Sequence, residues 1–214
     1  MRKIYIISVG PGSRDYVTQA ALNTASACDV VIGMDYQVEI VDVRRDTEIF
    51  IQSDINSILD LIDSNAGKKI GVLVTGDAGI FSLSRKIMER FGRESVVEVI
   101  PGISSIQTAF ARIKETWYNS RIYSFHGRPL HGLDEILSQG RVAILCGSDH
   151  NSKNVLTELS TAGLFLKGGR AAPILIYVCQ NLTFSDEKII RILDERDILN
   201  IPRSRREIII IISE

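Results

Sequence analysis

Apolar residues run along this chain in short bursts separated by glycine, proline and amphipathic stretches. Ile4 to Val9 is apolar and rich in β-branched residues and stops at Gly10-Pro11-Gly12, the pattern of a strand buried on both faces. Asp15 to Cys28 then places alanine, leucine and valine at helical spacing, with Ser13 or Asp15 available as a cap. Val30 to Gly33 and Glu48 to Gln52 read as further strands. Asp54 to Ser64 carries Ile55, Ile58, Leu59 and Ile62 on one face, which predicts an amphipathic helix stopped near Gly67. Lys69 to Thr75 and Val96 to Ile100 predict strands, and Leu83 to Phe91 and Ser104 to Ile113 predict helices.

Strands alternating with helices imply an α/β fold with a mostly parallel sheet. The pattern lapses around Lys114 to Ser120, and the expected division falls there, with domains at 1–115 and 120–214. The second half resumes with strand Arg121–Phe125, helix Leu133–Ser138, strand Val142–Cys146, helix Asn154–Thr161 and strand Pro173–Cys179. Lys188 to Leu193 and Glu207 to Ile212 follow with only a loop or short helical turn between them, which predicts an antiparallel pair. The isoleucine run at 208–212 is an aggregation hazard at an edge, so its expected place is inside the sheet.

The chain has 214 residues, 45% of them hydrophobic and 24% charged, as in a globular protein. Its formal net charge of −1 lacks the basic excess of a protein that grips nucleic acid through phosphates, so no nucleic-acid partner is expected. No apolar stretch approaches the length of a membrane span, and the run after Met1 is too short for a signal peptide. Cys28, Cys146 and Cys179 lie far apart without C-x-x-C, which predicts buried thiols in a reducing compartment. The expected protein is soluble and cytoplasmic.

Three glycine-rich loops end expected strands of the first half: Val9-Gly10-Pro11-Gly12-Ser13, Thr75-Gly76-Asp77-Ala78-Gly79 and Ile100-Pro101-Gly102-Ile103-Ser104-Ser105. Ligands of open α/β sheets bind outside the carboxyl ends of the strands, where glycine admits close approach. A tight turn explains any one of these loops without a ligand. A dinucleotide fingerprint fails, because Asp15 stands where the third glycine belongs, and no phosphate-binding G-K-[ST] occurs. His126, His131 and His150 have no metal-ligand spacing, so no metal is expected. Asp77 either caps its own turn or faces a cationic or hydroxyl-bearing ligand. His126 and Arg128 follow the first strand of the second half, where they are either solvated loop residues or ligand contacts.

Taken together, V-G-P-G-S at 9–13, T-G-D-A-G-I-F-S at 75–82 and I-P-G-I-S-S at 100–105 resemble the tetrapyrrole methylase family over the length of the chain. Ser124-Phe125-His126-Gly127-Arg128 and the tail from Asn181 to Ile189 are most similar to members that methylate carbon 5 of a corrin precursor on the way to cobalamin. The resemblance implies S-adenosylmethionine as cofactor and two tandem α/β/α domains with mixed, mostly parallel sheets. It also implies an active site in the cleft between them and a homodimer. On it, Val9, Asp77, Ile80, Ser104 and Ser105 contact the cofactor from the first half, and Cys146, Asn181 and Leu182 from the second. Pro11, His126 and Arg128 meet the tetrapyrrole, with Arg128 pairing a carboxylate, and His126 and Asp77 are the candidate catalytic groups. Ala78 stands where the family's G-D-P-G has proline, and Thr183, Phe184 and Ser185 stand where a glycine, an aromatic and a proline are more usual. Fused members carry a decarboxylating methyltransferase module, expected here on a separate polypeptide. Two alternatives stay open: another substrate of the same family (uroporphyrinogen, another precorrin, or the side chain modified by diphthine synthase), and a metabolite-binding module without turnover.

Overall fold

The computed structural model describes residues 2–165 and 174–213. It divides into two compact units, residues 1–105 and 106–214, ahead of the lapse at Lys114 to Ser120.

In the first unit five parallel strands, β1 (Lys3–Ser8), β2 (Val30–Gly33), β3 (Glu48–Ile51), β4 (Lys69–Val74) and β5 (Val96–Ile100), lie in the order β3-β2-β4-β1-β5. Their continuous apolar runs follow from cover on both faces. Ile4, Ile6, Ile70, Val72 and Val74 meet α3 (Ile55–Ser64) and α4 (Ser84–Phe91) through Ile58, Ile62 and Ile87. Ile7, Val9, Val31 and Leu73 meet α1 (Gln19–Ser26) through Ala21 and Ala25, and pack with Val38 of α2 (Asp35–Glu39). The first helix is shorter than its periodicity predicts. Ser13 caps only a 3₁₀ turn at Arg14–Tyr16, Val17 and Thr18 are extended, and the Thr18 hydroxyl accepts the Ala21 N–H to start α1. Five residues of α2 were not anticipated.

Neighbouring β1 and β4 send their chains apart, β1 through α1 to β2 and β4 through α4 to β5, on opposite faces of the sheet. Such a switch in chain direction, at the carboxyl ends of the strands, is the place where open α/β sheets bind ligands.

Helix α5 (Ser105–Arg112) starts at the last residue of the first unit and opens the second, which holds β6 (Arg121–Ser124), α6 (Leu133–Ser138), β7 (Arg141–Leu145), α7 (Ser152–Thr161), β8 (Leu175–Gln180), β9 (Lys188–Ile192), α8 (Glu195–Leu199) and β10 (Glu207–Ile212). The start of the strand expected from Pro173 lies outside the described residues. The sheet order is β6-β7-β10-β8-β9; only β6 and β7 are parallel, and the other pairings are antiparallel. The isoleucine run of β10 sits between β7 and β8 with every residue buried, as its composition demands. The expected pairing of β9 with β10 does not form. Helix α8 carries the chain past β8 and buries Ile198, so β8 separates the two strands and pairs antiparallel with both. Within this sheet the carboxyl ends of β6, β7 and β8 share one rim with the amino ends of β9 and β10.

Candidate functional site

At the rim of the first sheet the three glycine loops are stitched into one surface. The Val9 N–H donates to Val74 O at 2.9 Å and the Gly76 N–H to Gly10 O at 2.7 Å, which joins the loops after β1 and β4. Ala78 is held at both backbone groups: the buried Ser8 hydroxyl accepts its N–H at 2.9 Å, and the Ser84 hydroxyl donates to its carbonyl at 2.6 Å. Asp77 joins the loops after β4 and β5. Its Oδ1 accepts the Gly79 N–H at 2.8 Å and its Oδ2 the Gly102 N–H at 2.9 Å. Gly102 is required by space, since a Cβ there would stand 2.5 Å from Ser8 Cβ and 2.6 Å from the Gly76 carbonyl. Asp77 thus caps its own turn and also clamps a neighbouring loop.

Val9 is fully buried with its side chain in the α1-side core, Pro11 is buried, Ser104 is 3% exposed, and Ile80 and Ser105 are half-buried. Sequence reasoning missed Ser8 and Ser84. It also missed Tyr36 and Gln37 of α2, whose side chains reach the Thr75 hydroxyl at the end of β4, Gln37 donating at 3.0 Å. A serine closing an otherwise apolar strand was the available signal for Ser8.

At the second rim, His126, Gly127 and Arg128 are exposed after β6. The buried Phe125 beneath them meets the His131 and His150 rings edge-on at 6.0 and 6.3 Å. The loop after β7 lies close, and a Cβ on Gly147 would stand 2.8 Å from His126 Cα. Cys146 is 7% exposed, and burial, with the Glu207 carboxylate adding to it, pushes its thiol far above the ordinary range. Burial likewise raises Cys28 to about 11 and Cys179 to about 12. Glu207, 5% exposed, accepts the Ser152 N–H that opens α7 and the Gln180 side-chain amide, each at 2.7 Å. A helix amino terminus and an amide dipole compensate this buried carboxylate.

After β8, Asn181 and Thr183 are both left-handed, with φ of +48° and +70°, and Leu182 between them is buried. Asn181 donates to Asp186 at 2.6 Å and accepts from Ser204 at 2.8 Å, while Gln180 holds the Pro202 carbonyl at 2.7 Å. The arm 202–206 is thereby tied to the Asn181 loop and presents Arg203 and Arg205 to solvent, with Arg206 lying over the Phe184 ring at 4.5 Å. These arginines were missed because no sequence window shows them beside Asn181. Among the described residues no cluster of three or more His, Cys, Asp or Glu side chains is arranged to hold a metal, and no helix is long and apolar enough to cross a membrane.

A family model described as Tetrapyrrole (Corrin/Porphyrin) Methylases matches residues 3–195. A probable cobalt-precorrin-7 C(5)-methyltransferase of Methanocaldococcus jannaschii is 31% identical over 192 residues, 87% of this chain and 87% of that protein. The cobalt-precorrin-7 C(5)-methyltransferase of Salmonella typhimurium is 26% identical over 86% of this chain and 87% of its own length. Among solved structures, the precorrin-6Y methylase of Archaeoglobus fulgidus superposes with a TM-score of 0.73 at 21% identity, covering 99% and 98% of the two chains. A uroporphyrin-III C-methyltransferase of Thermus thermophilus complexed with S-adenyl homocysteine gives 0.76 at 14% identity, covering 98% and 97%. At such identities the two structures speak for the fold.

Proposed function

We propose a function from one premise: this chain belongs to the tetrapyrrole (corrin/porphyrin) methylase family. It is an S-adenosylmethionine-dependent C-methyltransferase that methylates carbon 5 of cobalt-precorrin-7 in cobalamin biosynthesis. The observation that carries this reading is where the first rim spends its amides. The N–H groups of Gly76, Ala78, Gly79 and Gly102 all donate inward, to Gly10 O, Ser8 and Asp77, and that of Ile80 to Asp77 O. A phosphate cradle turns such amides outward. This rim instead suits a ligand without phosphate, and S-adenosylmethionine is one.

When bound, the cofactor supplies an electrophilic methyl group on a good leaving group. The protein's part is alignment and exclusion of water. Val9, Asp77, Ile80, Ser104 and Ser105 hold the cofactor from the first unit, and Cys146, Asn181 and Leu182 from the second. Asp77 acts through the loop it clamps, and the buried thiol of Cys146 leaves that residue a packing or main-chain role. Pro11, His126 and Arg128 meet the tetrapyrrole. Arg128 pairs with a peripheral carboxylate, Arg203 and Arg205 add positive charge on the same rim, and His126 hydrogen-bonds a second carboxylate or guides a proton. The protein works as a cytoplasmic homodimer.

The test is mass spectrometry of tetrapyrrole intermediates incubated with the protein and methyl-labelled S-adenosylmethionine, with and without EDTA. One labelled methyl at carbon 5 of cobalt-precorrin-7, insensitive to EDTA, is expected. Transfer to a different tetrapyrrole would move the substrate assignment, and absence of transfer to any would end the enzyme reading. Calorimetry should show S-adenosylhomocysteine binding without NAD binding.

A further inference from the structure

The Asn181–Thr183 loop contains a conformation that its sequence should resist. Thr183 is β-branched and sits at φ +70°, a region that crowds Cβ against the backbone and that glycine enters freely. Something outside the loop therefore has to hold the backbone in place.

That hold is visible. Glu187 Oε2 accepts the Thr183 N–H at 2.6 Å. Its Oε1 accepts Nε of Arg112 at 2.6 Å, and the second guanidinium contact is 3.3 Å from Oε2. Arg112 ends α5, so the anchor lies 75 residues away in sequence and is not part of the loop's own turn. Leu182, between two left-handed residues, is 5% exposed, so its side chain is pinned while the peptides on either side are set by the dihedral angles of Asn181 and Thr183. Release of Thr183 to an ordinary φ would swing the peptide that joins it to Leu182.

We propose that Glu187, oriented by Arg112, is a positioning residue for the cofactor, holding Thr183 left-handed and so fixing the Asn181–Leu182 segment. The clamp stands on the geometry alone, and its effect on the cofactor rests on the reading above. Burial, the largest influence on the Glu187 carboxyl, pushes its pKa up. The Arg112 hydrogen bond, the Thr183 amide and the Arg112 charge together outweigh burial and hold it below the ordinary range. The group therefore stays ionised and able to accept both partners at neutral pH.

The experiment compares wild type with Glu187→Ala, Glu187→Gln, Thr183→Gly and the double variant Glu187→Ala/Thr183→Gly. Two readouts are used, calorimetric titration with S-adenosylhomocysteine and hydrogen exchange of residues 181–187 without ligand. Glu187→Ala should weaken binding about tenfold or more, the scale of a lost hydrogen bond to a charged group, and speed exchange at the Thr183 amide. Glu187→Gln keeps an acceptor oxygen and should stay within about threefold of wild type. Thr183→Gly needs no external hold, so the double variant should recover to within about threefold of Thr183→Gly. That rescue is one a general loss of packing would not give. Normal binding in Glu187→Ala, or no rescue by glycine, overturns the cofactor role. Unchanged exchange in Glu187→Ala overturns the clamp itself. If wild type fails to bind S-adenosylhomocysteine while exchange responds as expected, the cofactor reading is what has failed, and the cofactor role falls with it.

Discussion

The two rims hold their loops by different means. The first is tied by main-chain bonds between its loops and by the short side chains of Ser8, Asp77 and Ser84, which grip loop backbone, with Tyr36 and Gln37 reaching Thr75. The second is tied through long polar side chains, Gln180, Glu187 and Glu207, and displays His126, Arg128, Arg203 and Arg205 outward. A parallel sheet buried on both faces offers only its loop backbones at the carboxyl edge, whereas the mixed second sheet brings strand starts and strand ends to one edge. The first therefore makes a stiff platform for a ligand with a fixed outline. The second makes a charged surface, which on the proposed function faces an anionic tetrapyrrole.

If this contrast is real, the largest effect on folding comes from the second rim. Glu207→Ala leaves the Ser152 N–H without its acceptor and the Gln180 amide with only the Pro202 carbonyl, and should lower unfolding free energy by about 3 kcal/mol in urea titration. A loss under about 1 kcal/mol would show that water replaces the carboxylate and that the network is not the rim's anchor.

Next comes Asp77→Ala, which frees the amides of Gly79 and Gly102 at a half-buried position. It should weaken S-adenosylhomocysteine binding by about 1.5–3 kcal/mol while costing less stability than Glu207→Ala. Unchanged affinity in the folded variant would reduce Asp77 to a turn residue.

Smaller again is the effect at the exposed arginines. Arg128→Ala should raise KM for the tetrapyrrole by up to about tenfold and leave cofactor affinity alone. Arg203→Glu/Arg205→Glu should add a few-fold rise and flatten the salt dependence of KM, since those side chains act in open solvent. A fall in cofactor affinity instead would mean that the second rim does not divide its ligands as proposed.

The smallest effect is one of pH. The folded pKa of Glu187 lies below its unfolded value, so its contribution to stability is complete above about pH 4.3 and is lost as pH falls through the folded value. The stability difference between wild type and Glu187→Gln should therefore be constant from neutrality down to that region and shrink below it. A difference that grew in acid would reverse the sign of the proposed pairing.

Much of this was legible along the chain. Runs such as Lys69 to Val74 and the isoleucines of β10 reveal buried strands because their chemistry has no other stable place, and the three glycine loops mark the working edge of the first sheet. The helix from Asp15 misled because periodicity continues through Val17 and Thr18, where the backbone is extended and Thr18 takes the cap. The pairing of β9 with β10 misled because a short connection resembles a hairpin until α8 crosses over β8. Residues recognised by motif lie on the rims of the two sheets. Those that hold them there, Ser8 for Ala78 at 70 residues' distance and Arg112 for Glu187 at 75, belong to contacts that only the fold brings about.

The place of β10 has a consequence for how the molecule is made. A chain emerging from the ribosome completes the first sheet long before the second, because all five of the first unit's strands precede residue 105. The second sheet must wait for its middle. Until β10 arrives, β7 and β8 have no shared neighbour, and each exposes an unpaired edge to solvent. Until β10 is made, the nascent protein is thus a finished half joined to an open one. Stalling or premature termination before Glu207 would release a species with two sticky strand edges, and chaperone demand should peak in that interval.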